Sequence, residues 1–377
     1  MRPKGGNMGW KRWLLAMVLL GVLGACQPAP PPGSPGTATD ALPAIAPSAT
    51  WTPFVPLAPT ATFVPTATAS PTVTPTATPA TVTLLFVGNI VPARCVRAAA
   101  DRRGDDHYIY AQVAPQIRKA DFAVALLNAS LTDRIPPTGC VKTYLLVGDP
   151  HHADTMAWAG FDAVNMATNH IKNGGDAAFL DTLDAVHQAG LLSVGAGRDL
   201  EEALQPLIVE LNGIRFAFVA LNAIETKSFA GETTPGAAPL TEDNVRKAMA
   251  WARQQADVVI ALPHWGPEYD TTPDYLQRRA ARWLVEAGAD VVVGNHPHVV
   301  QGMEVIQGVP VFYGLGNFVF DQTWSLETQQ GAILTLTFSG TQLVRYTYIP
   351  THTDGDGTVH IAPPAEAEQI LARMLGP

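Results

Sequence analysis

Residues Asp290–His298 read DVVVGNHPH, an apolar run that passes directly into a polar loop with two histidines. The same order, an apolar run and then a polar loop, occurs in Phe161–His170 and in Asp257–Gly266. Uninterrupted apolar runs of this length are typical of parallel strands that are covered on both faces. The sequence therefore predicts an α/β fold whose parallel strands end in polar loops.

These loops contain most of the side chains that could bind a metal ion. Loops at the carboxyl ends of parallel strands lie at one edge of a sheet, so their side chains can converge on one crevice. A fourth such loop, Gly88-Asn89, follows the apolar run Thr83–Val87. Neutral imidazoles and amide oxygens suit a transition metal, which predicts a metal site in this crevice. The histidines concerned are His170, His264, His296 and His298.

The N-terminus has the pattern of a bacterial export signal. Basic residues precede the apolar stretch Trp13–Leu23, which is too short for a comfortable membrane span. The sequence Leu23-Gly24-Ala25-Cys26 resembles the lipobox of bacterial lipoproteins, in which the cysteine carries a lipid. We therefore expect residues 1–25 to be a signal peptide, Cys26 to be the lipid attachment site, and the protein to be extracytoplasmic and anchored to the cell membrane. An ordinary signal peptide or an uncleaved anchor is the alternative.

Two segments follow the signal. Residues 26–80 are rich in proline, threonine, alanine and serine and carry almost no charge. Such a segment cannot bury enough apolar surface to offset the cost of ordering it, so we expect a disordered linker. Residues 81–377 are long enough for one large α/β domain.

The charge balance argues against nucleic acid as a partner. The chain has a formal net charge of −9, and removal of the four basic residues in the signal would change this to −13. Contacts with phosphates require a basic face, which this composition does not favour.

Cysteine is sparse. Besides Cys26, the chain contains Cys95 and Cys140. Outside the cytoplasm these two could form a disulfide, and two free thiols are the alternative.

Strand patterns become dense towards the end of the chain. The clearest hairpin joins Leu207–Leu211 to Ile214–Leu221, because the Asn212-Gly213 pair between them tolerates the positive φ angles of a type I′ turn. Antiparallel hairpins that follow βαβ units indicate two sheets packed together and flanked by helices. The other predicted strands are Phe122–Leu127, Leu192–Val194, Met303–Ile306, Val309–Tyr313, Ala332–Phe338 and Leu343–Ile349.

Helical patterns separate the parallel strands. In the best marked helix, Thr272 suits the N-cap, Pro273 the first position and Gly288 the residue just past the end. The other predicted helices are about Tyr110–Lys119, Ala153–Ala159, Ala177–Ala189 and Asp243–Gln255.

Several motifs resemble those of a known family. His264–Tyr269 (HWGPEY), Gly294–Val299 (GNHPHV) and Gly314–Gln322 (GLGNFVFDQ) closely resemble the CapA family, which is named for capsule and poly-gamma-glutamate biosynthesis. The resemblance covers about Thr83–Asp321 in the expected order. It implies a calcineurin-like metallophosphoesterase fold, an α/β/β/α sandwich of two β-sheets flanked by helices, with a metal-binding crevice at the strand ends.

Three positions differ from the family pattern. Asn89 stands where the family has aspartate after the first strand, Asn128 stands at the glutamate of an Asn-Leu-Glu motif, and Asn173 replaces an aspartate that follows Asn-His. Amides can bind a cation through oxygen, but they cannot offset the repulsion between two divalent ions about 4 Å apart. We therefore expect one divalent transition metal ion (zinc, manganese or iron) rather than two.

The resemblance and the strand-end pattern together suggest roles for individual residues. His170 lies where the family has its general acid, so it is the expected catalytic proton donor to a leaving oxygen. Glu268 and Tyr269 are expected to orient His264 or to contact substrate. Buried histidines that only shape polar loops are the alternative interpretation. The expected metal ligands are His264, His296 and His298, with Asn169, Asn89 and Asn128 as weaker candidates.

Other polar residues have structural interpretations. Asn317 is expected to fix a tight turn, and Asp321 to form either a cap or a turn. The remaining histidines are expected at the surface or in loops: His107, His151, His152, His187, His352 and His360.

Two functions agree with these features. The first is a surface-anchored metallohydrolase that cleaves a phosphoester or a bond in a cell-envelope polymer. The second is a catalytically degenerate protein that binds the polymer or helps to assemble it. The expected partners are the membrane, an anionic cell-envelope polymer of the polyglutamate type and the subunits of a polymer synthase.

Overall fold

The structure is a computed structural model and describes residues 81–224 and 226–375. The predicted signal peptide, Cys26 and the linker up to residue 80 lie outside the described residues. Among the residues described, no helix combines the length and the apolar character needed to cross a membrane.

The described residues form eighteen strands. In chain order they are β1 (Thr81–Ile90), β2 (Phe122–Leu127), β3 (Ser130–Leu131), β4 (Val147–Gly148), β5 (Ala163–Asn165), β6 (Leu192–Val194), β7 (Ala196–Gly197), β8 (Leu207–Leu211), β9 (Ile214–Asn222), β10 (Gly236–Ala237), β11 (Val258–His264), β12 (Val291–Val293), β13 (Val300–Ile306), β14 (Val309–Leu315), β15 (Asn317–Val319), β16 (Gln330–Ser339), β17 (Gln342–Thr353) and β18 (Val359–Ile361).

Eight α-helices and three short 3₁₀ turns connect the strands of the described chain. The helices are α1 (Cys95–Arg103), α2 (Ala114–Ile117), α3 (His152–Ala159), α4 (Gly175–Gln188), α5 (Leu200–Ala203), α6 (Glu242–Gln255), α7 (Tyr275–Glu286) and α8 (Pro364–Leu375). The 3₁₀ turns are His107–Ile109, Thr226–Ser228 and Glu327–Gln329.

Two large sheets are built from these strands. The first has the order β18-β17-β16-β1-β2-β5-β6, with β15 also paired to β1. Its strands β1, β2, β5 and β6 are parallel, whereas β16, β17 and β18 are antiparallel. The second sheet has the order β13-β14-β12-β11-β9-β8, with a parallel centre and antiparallel edges. The late hairpins therefore extend sheets whose centres are parallel.

The sheets pack face to face, and helices cover their outer faces. Leu84 and Phe86 of β1 share one core with Ile260 of β11, whereas Leu85 faces a second core that includes Phe179 of α4. A third core lies between the second sheet and helices α6 and α7. Because both faces of the central strands are buried, each strand is apolar without interruption. The predicted α/β class and its α/β/β/α sandwich are confirmed.

The structure corrects two predicted helices. The region predicted as a helix from about Tyr110 to Lys119 contains only the four-residue helix α2. Helix α7 is capped by Asp274 and not by Thr272, because the Asp274 carboxylate accepts the Gln277 amide while the Gln277 side chain returns to the Asp274 amide. This reciprocal pair is a capping box, and it places Pro273 before the helix.

Helix α1 was not predicted, and a distant residue explains where it begins. The carboxylate of Asp321 accepts the backbone N–H of Cys95 at 3.1 Å and pairs with Arg94. Asp321 thus provides a hydrogen-bond acceptor for an N–H group at the start of a helix that lies 226 positions earlier in the chain. Next to this point, Cys95 forms a disulfide with Cys140, so the first of the two cysteine alternatives is the one observed.

Candidate metal centre

Loops from both sheets meet at the carboxyl ends of their parallel strands. His264 ends β11, and its Nε2 atom lies 3.0 Å from Asn169 Oδ1 and 3.2 Å from His296 Nδ1. Asn169 follows β5 of the first sheet, whereas His296 follows β12 of the second. All three side chains are buried. The sequence predicts that these distant loops converge, and Asn169, His264 and His296 do lie together in the structure.

The three facing atoms suit a cation. His264 Nε2 carries at most one hydrogen, and one hydrogen cannot satisfy both Asn169 Oδ1 and His296 Nδ1 with good geometry. A cation would instead accept a lone pair from each of the three atoms. Ligand atoms bound about 2.1 Å from one ion lie about 3–3.4 Å from each other at tetrahedral or octahedral angles, which agrees with the observed spacing. The donor set of two imidazoles and one amide oxygen therefore fits a divalent transition metal.

The protonation of the histidines also favours metal binding. Burial lowers the pKa of His264 well below its ordinary value of 6.5, and the neighbouring imidazoles lower it further. Burial likewise lowers the pKa of His296, with smaller effects from His298 and His170. Both rings are consequently neutral at pH 7, which is the form that binds metals.

His298 lies beside these residues but has different partners. Asn317 donates its amide hydrogens to Gln322 and to the backbone oxygen of Thr328, so its Oδ1 atom faces His298 Nδ1 at 2.9 Å as an acceptor. His298 therefore carries its hydrogen on Nδ1. The other ring nitrogen, Nε2, lies 3.9 Å from Glu268 Oε1. His298 and Glu268 thus offer a second pair of potential ligand atoms at the mouth of the crevice.

The backbone of the loop between β12 and β13 is strained where the two histidines lie. His296 and His298 both adopt positive φ angles, of 113° and 62°. The side chain of Asn295 holds this loop, since it donates to the Val87 oxygen and accepts from the Leu315 amide. Non-glycine residues in such conformations cluster at functional sites, and the sequence pattern alone does not reveal them.

His170, the predicted proton donor, is oriented by two asparagines. Its backbone amide donates to Asn128 Oδ1 at 3.1 Å. Its Nδ1 atom lies 3.0 Å from Asn173 Oδ1, which also accepts the Leu146 amide. Asn173 therefore orients the ring without adding a negative charge beside it.

Asn89 and Asn128, both candidate ligands, differ in what they offer a metal. Asn89 donates through Nδ2 to Gly316, and its buried Oδ1 has no hydrogen-bond partner within the described residues. That oxygen could bind a cation. In Asn128 the oxygen is used by His170, and the atom without a partner among the described residues is the amide nitrogen. An N–H₂ group cannot bind a cation, so the geometry does not favour Asn128 as a ligand.

Glycine allows Asn89 to reach this position. A Cβ atom on Gly88 would lie 2.1 Å from the backbone oxygen of Gly316, so only glycine permits β1 to pass so close to β15. The backbone N–H group of Asn89 then donates to the same oxygen at 3.0 Å. This approach places Asn89 beside Asn317.

Two residues have other roles than the sequence suggested, and a third has one of its predicted roles. Asn317 is a buried centre of hydrogen bonding to His298, and not only a turn residue. Asp321 caps α1, which was one of its two predicted roles. His152 is buried and not at the surface, because its ring lies between Asp106 and the Tyr110 hydroxyl.

A cavity of about 350 Å³ opens over the crevice. His170, Glu268, Tyr269 and His298 form part of its wall, so the predicted catalytic and substrate-contacting residues face one space. Its other lining residues are Arg94, Lys142, Thr143, Tyr144, Leu146, Phe320, Gln322 and Trp324.

A separate acidic group lies outside this crevice. Possible ligand atoms of Asp105, Asp106 and His107 lie within 4.8 Å of one another, beside another cavity. These groups already have partners: Asp105 binds His107, and Asp106 binds Thr155 and the ring of His152. At His264, by contrast, one hydrogen cannot satisfy all the facing nitrogen and oxygen atoms. The histidine crevice is therefore the favoured metal site.

Comparison with known proteins identifies the family of the chain. The family model described as bacterial capsule synthesis protein PGA_cap matches residues 83–322, which is more than half of the chain. The chain belongs to this family. The matched range contains all the histidines of the crevice, and the predicted resemblance to the CapA family is confirmed.

Two relatives support this membership. The chain is 33% identical over 251 residues to the PGA biosynthesis protein CapA of Bacillus subtilis, which covers 66% of each chain. It is 32% identical over 260 residues to the capsule biosynthesis protein CapA of Bacillus anthracis, covering 67% of this chain and 63% of the relative. The match thus spans slightly less than two thirds of the length of either relative.

Solved structures show weaker similarity. A hypothetical protein from Thermus thermophilus aligns with 71% of this chain and 98% of its own, at 13% identity and a TM-score of 0.46. A 5'-nucleotidase from Candida albicans aligns with 73% of this chain and 53% of its own, at 9% identity and a TM-score of 0.43. Both similarities are too weak to support a functional conclusion.

The lowered pKa values of His264 and His296 predict a pH-dependent stability of the metal-free protein. Above about pH 6.5 both rings are neutral whether the chain is folded or unfolded. Below that value the unfolded chain binds protons that the folded crevice excludes, so the free energy of unfolding falls, by up to about 1.4 kcal/mol per pH unit for each ring. Urea unfolding between pH 8 and pH 5 measures this slope. The double variant His264→Gln/His296→Gln should lose this part of the slope, and the exposed-site control His187→Gln should retain it; equal slopes in all three proteins would contradict the account.

Proposed function

We propose that this protein acts in the synthesis or processing of an anionic capsule-type polymer such as poly-gamma-glutamate, and that its histidine crevice binds one divalent metal ion. The names of the two Bacillus relatives, a PGA biosynthesis protein and a capsule biosynthesis protein, support the first part. The convergence of His264 Nε2, His296 Nδ1 and Asn169 Oδ1 supports the second.

The residues of the crevice are suited to a hydrolytic reaction. When bound, the metal supplies Lewis acidity towards an oxygen of the substrate. Asn173 Oδ1 accepts the hydrogen on Nδ1 of His170, so the proton that we expect His170 to give to the leaving oxygen comes from Nε2 of the imidazolium form, which leaves the ring neutral. Glu268 and Tyr269 lie on the same cavity wall as His170, where they can position the substrate.

The proposed site of action is the outer face of the cell membrane. The apolar stretch Trp13–Leu23 and the lipobox-like sequence that ends at Cys26 support export followed by lipid anchoring. In cell fractionation, the parent should accompany the membrane, whereas Cys26→Ser should lose lipid and be released; a Cys26→Ser protein that still carries lipid would contradict the anchor.

Removing one imidazole should abolish metal binding. The full-length parent, reconstituted with zinc, manganese or iron and then desalted, should contain about one ion per chain. His264→Ala should weaken metal affinity by more than about a hundredfold, since even residues that only support a ligand contribute about ten- to a hundredfold. Metal analysis of parent and variant measures the effect, and His187→Ala, which removes an exposed histidine near the end of helix α4, is the control. Equal metal content in parent and His264→Ala would end the proposal.

The alternative function is a polymer-binding or assembly protein without turnover. The orientation of Asn128 favours this alternative, because its unpartnered amide nitrogen occupies a position at which the family pattern has a carboxylate. Asn89 and Asn173 are also neutral, so they likewise supply no negative charge to offset that of a metal ion.

Restoring the acidic residues distinguishes the two functions. The variant Asn89→Asp/Asn128→Glu/Asn173→Asp should bind a second ion and hydrolyse a phosphodiester such as bis(p-nitrophenyl) phosphate if the natural crevice is degenerate. Circular dichroism checks that it folds, and Asn128→Asp replaces Asn128→Glu if the longer side chain does not fit. A parent that already hydrolyses its substrate, with no gain on restoration, would favour the hydrolase over the binding protein.

A further inference from the structure

Two cavities border the proposed metal site and share the lining residue Tyr144. The first is the cavity of about 350 Å³ described above. The second, of about 260 Å³, is lined by Tyr144, Leu145, Asn169, Lys172, Asn173, Lys227 and Ser228. His170 and His298 line the first cavity and Asn169 lines the second, so residues of the candidate site belong to both. We call the two cavities together the rim groove.

The rim groove has a lysine in each half. Lys142 lines the first cavity and Lys227 lines the second, and both side chains are exposed. Within the described part of the chain, neither has a carboxylate partner. Lys172 also lines the second cavity, but it is bound to Asp176 and to the Pro235 oxygen. In a chain with a net charge of −9, two such lysines in one groove favour an anionic ligand.

Exposed aromatic rings line the same groove as these lysines. Tyr144 is 88% exposed, Trp324 is 51% exposed and Tyr269 is 44% exposed, and all three line the first cavity. The Lys142 ammonium lies 5.9 Å from the centre of the Trp324 ring. Grouped apolar surface of this kind marks binding sites, and aromatic faces suit planar groups such as amides.

The loop that carries Lys142 and Tyr144 is bonded to residues beside the candidate metal centre. The disulfide joins Cys140 to Cys95, and Arg94 donates to the Thr143 oxygen at 3.0 Å. At the end of the loop, the Leu146 amide donates to Asn173 Oδ1, the atom that orients His170. The backbone segment that carries Lys142 and Tyr144 is therefore attached at both ends to residues next to the predicted proton donor, which reduces the entropic cost of ordering this segment on binding.

One acidic residue is among the residues that line the rim groove. Glu268 lines the first cavity, and its Oε1 atom lies 3.9 Å from His298 Nε2. It would repel an anionic group placed next to it. The charges of the ligand are consequently favoured at the two lysines, and an uncharged part is favoured beside Glu268.

We propose that the rim groove binds an extended polycarboxylate chain across the metal centre, with carboxylates at Lys142 and Lys227 and with amide groups of the chain against Tyr144 and Trp324. This inference rests on the proposed function and identifies the residues that select the ligand. An amide-linked chain with regularly spaced carboxylates offers negative charges that suit the two lysines and planar amide groups that suit the exposed aromatic rings.

Binding of a fluorescently labelled decamer of gamma-linked glutamate to the full-length protein tests the inference, by anisotropy at low and high salt. Lys142→Ala and Lys227→Ala should each weaken binding about fivefold, the effect of one exposed ion pair, and the double variant by more than about tenfold. Lys142→Arg should retain most of the affinity. Affinity should fall with salt in the parent and less so in the double variant.

The chain offers a matched control for Lys142. Lys247 lies 4.6 Å from the centre of the Trp251 ring on helix α6, outside the groove. Lys247→Ala removes a similar lysine from a similar tryptophan and should leave binding unchanged. Trp324→Ala should weaken binding, whereas Trp251→Ala should leave it unchanged if the variant remains folded.

The outcomes separate this inference from the proposed function. Parent-like affinity in the double lysine variant overturns the inference, and so does equal binding of neutral polyglutamine or tighter lysine-dependent binding of polyphosphate. A parent that contains metal but does not bind the decamer also overturns it and leaves the metal centre intact. Lysine-dependent decamer binding by a parent without metal supports the groove while the proposed metal centre fails.

Discussion

The contact between loops of the two sheets is the constraint on which the site depends. Asn169 lies in a loop of the first sheet, and its Oδ1 atom is 3.0 Å from Nε2 of His264, which ends a strand of the second sheet. The same nitrogen of His264 is 3.2 Å from His296 Nδ1. The apolar side chains between the sheets fix the separation of these loops. Because protein cores are close-packed, the sheets cannot slide without losing contacts along the whole interface. The crevice is thus a property of the complete sandwich and not of any single motif.

The surroundings of this contact are nearly free of negative charge. Burial and mutual repulsion lower the pKa values of His264 and His296, so the ligand atoms are available without protonation near neutral pH. The side chains at 89, 128 and 173 are neutral amides, which do not offset the charge of a second ion. A crevice of this kind suits one ion, and it leaves Glu268 as the acidic side chain that lines the cavity above it. The two lysines of the rim groove then bring the opposite charge to the periphery.

The sequence was sufficient for the features that depend on local pattern. Uninterrupted apolar runs predicted the buried parallel strands, and the Asn212-Gly213 hairpin is present as predicted. Features set by distant partners could not be predicted from the sequence. The Asp321 carboxylate accepts the N–H group at the start of α1, 226 positions earlier in the chain, and Asn317 at the start of β15 orients His298. The amide orientation of Asn128 and the positive φ angles at His296 and His298 follow from three-dimensional packing, so no spacing in the sequence could reveal them.

Anomalous X-ray scattering from crystals of the zinc-loaded protein would locate the proposed ion. We expect one strong zinc peak between His264 Nε2, His296 Nδ1 and Asn169 Oδ1, at about 2.0–2.1 Å from the imidazole nitrogens. A peak at Asp105 and His107 with none at the histidine crevice, or no ordered zinc at all, would contradict this expectation.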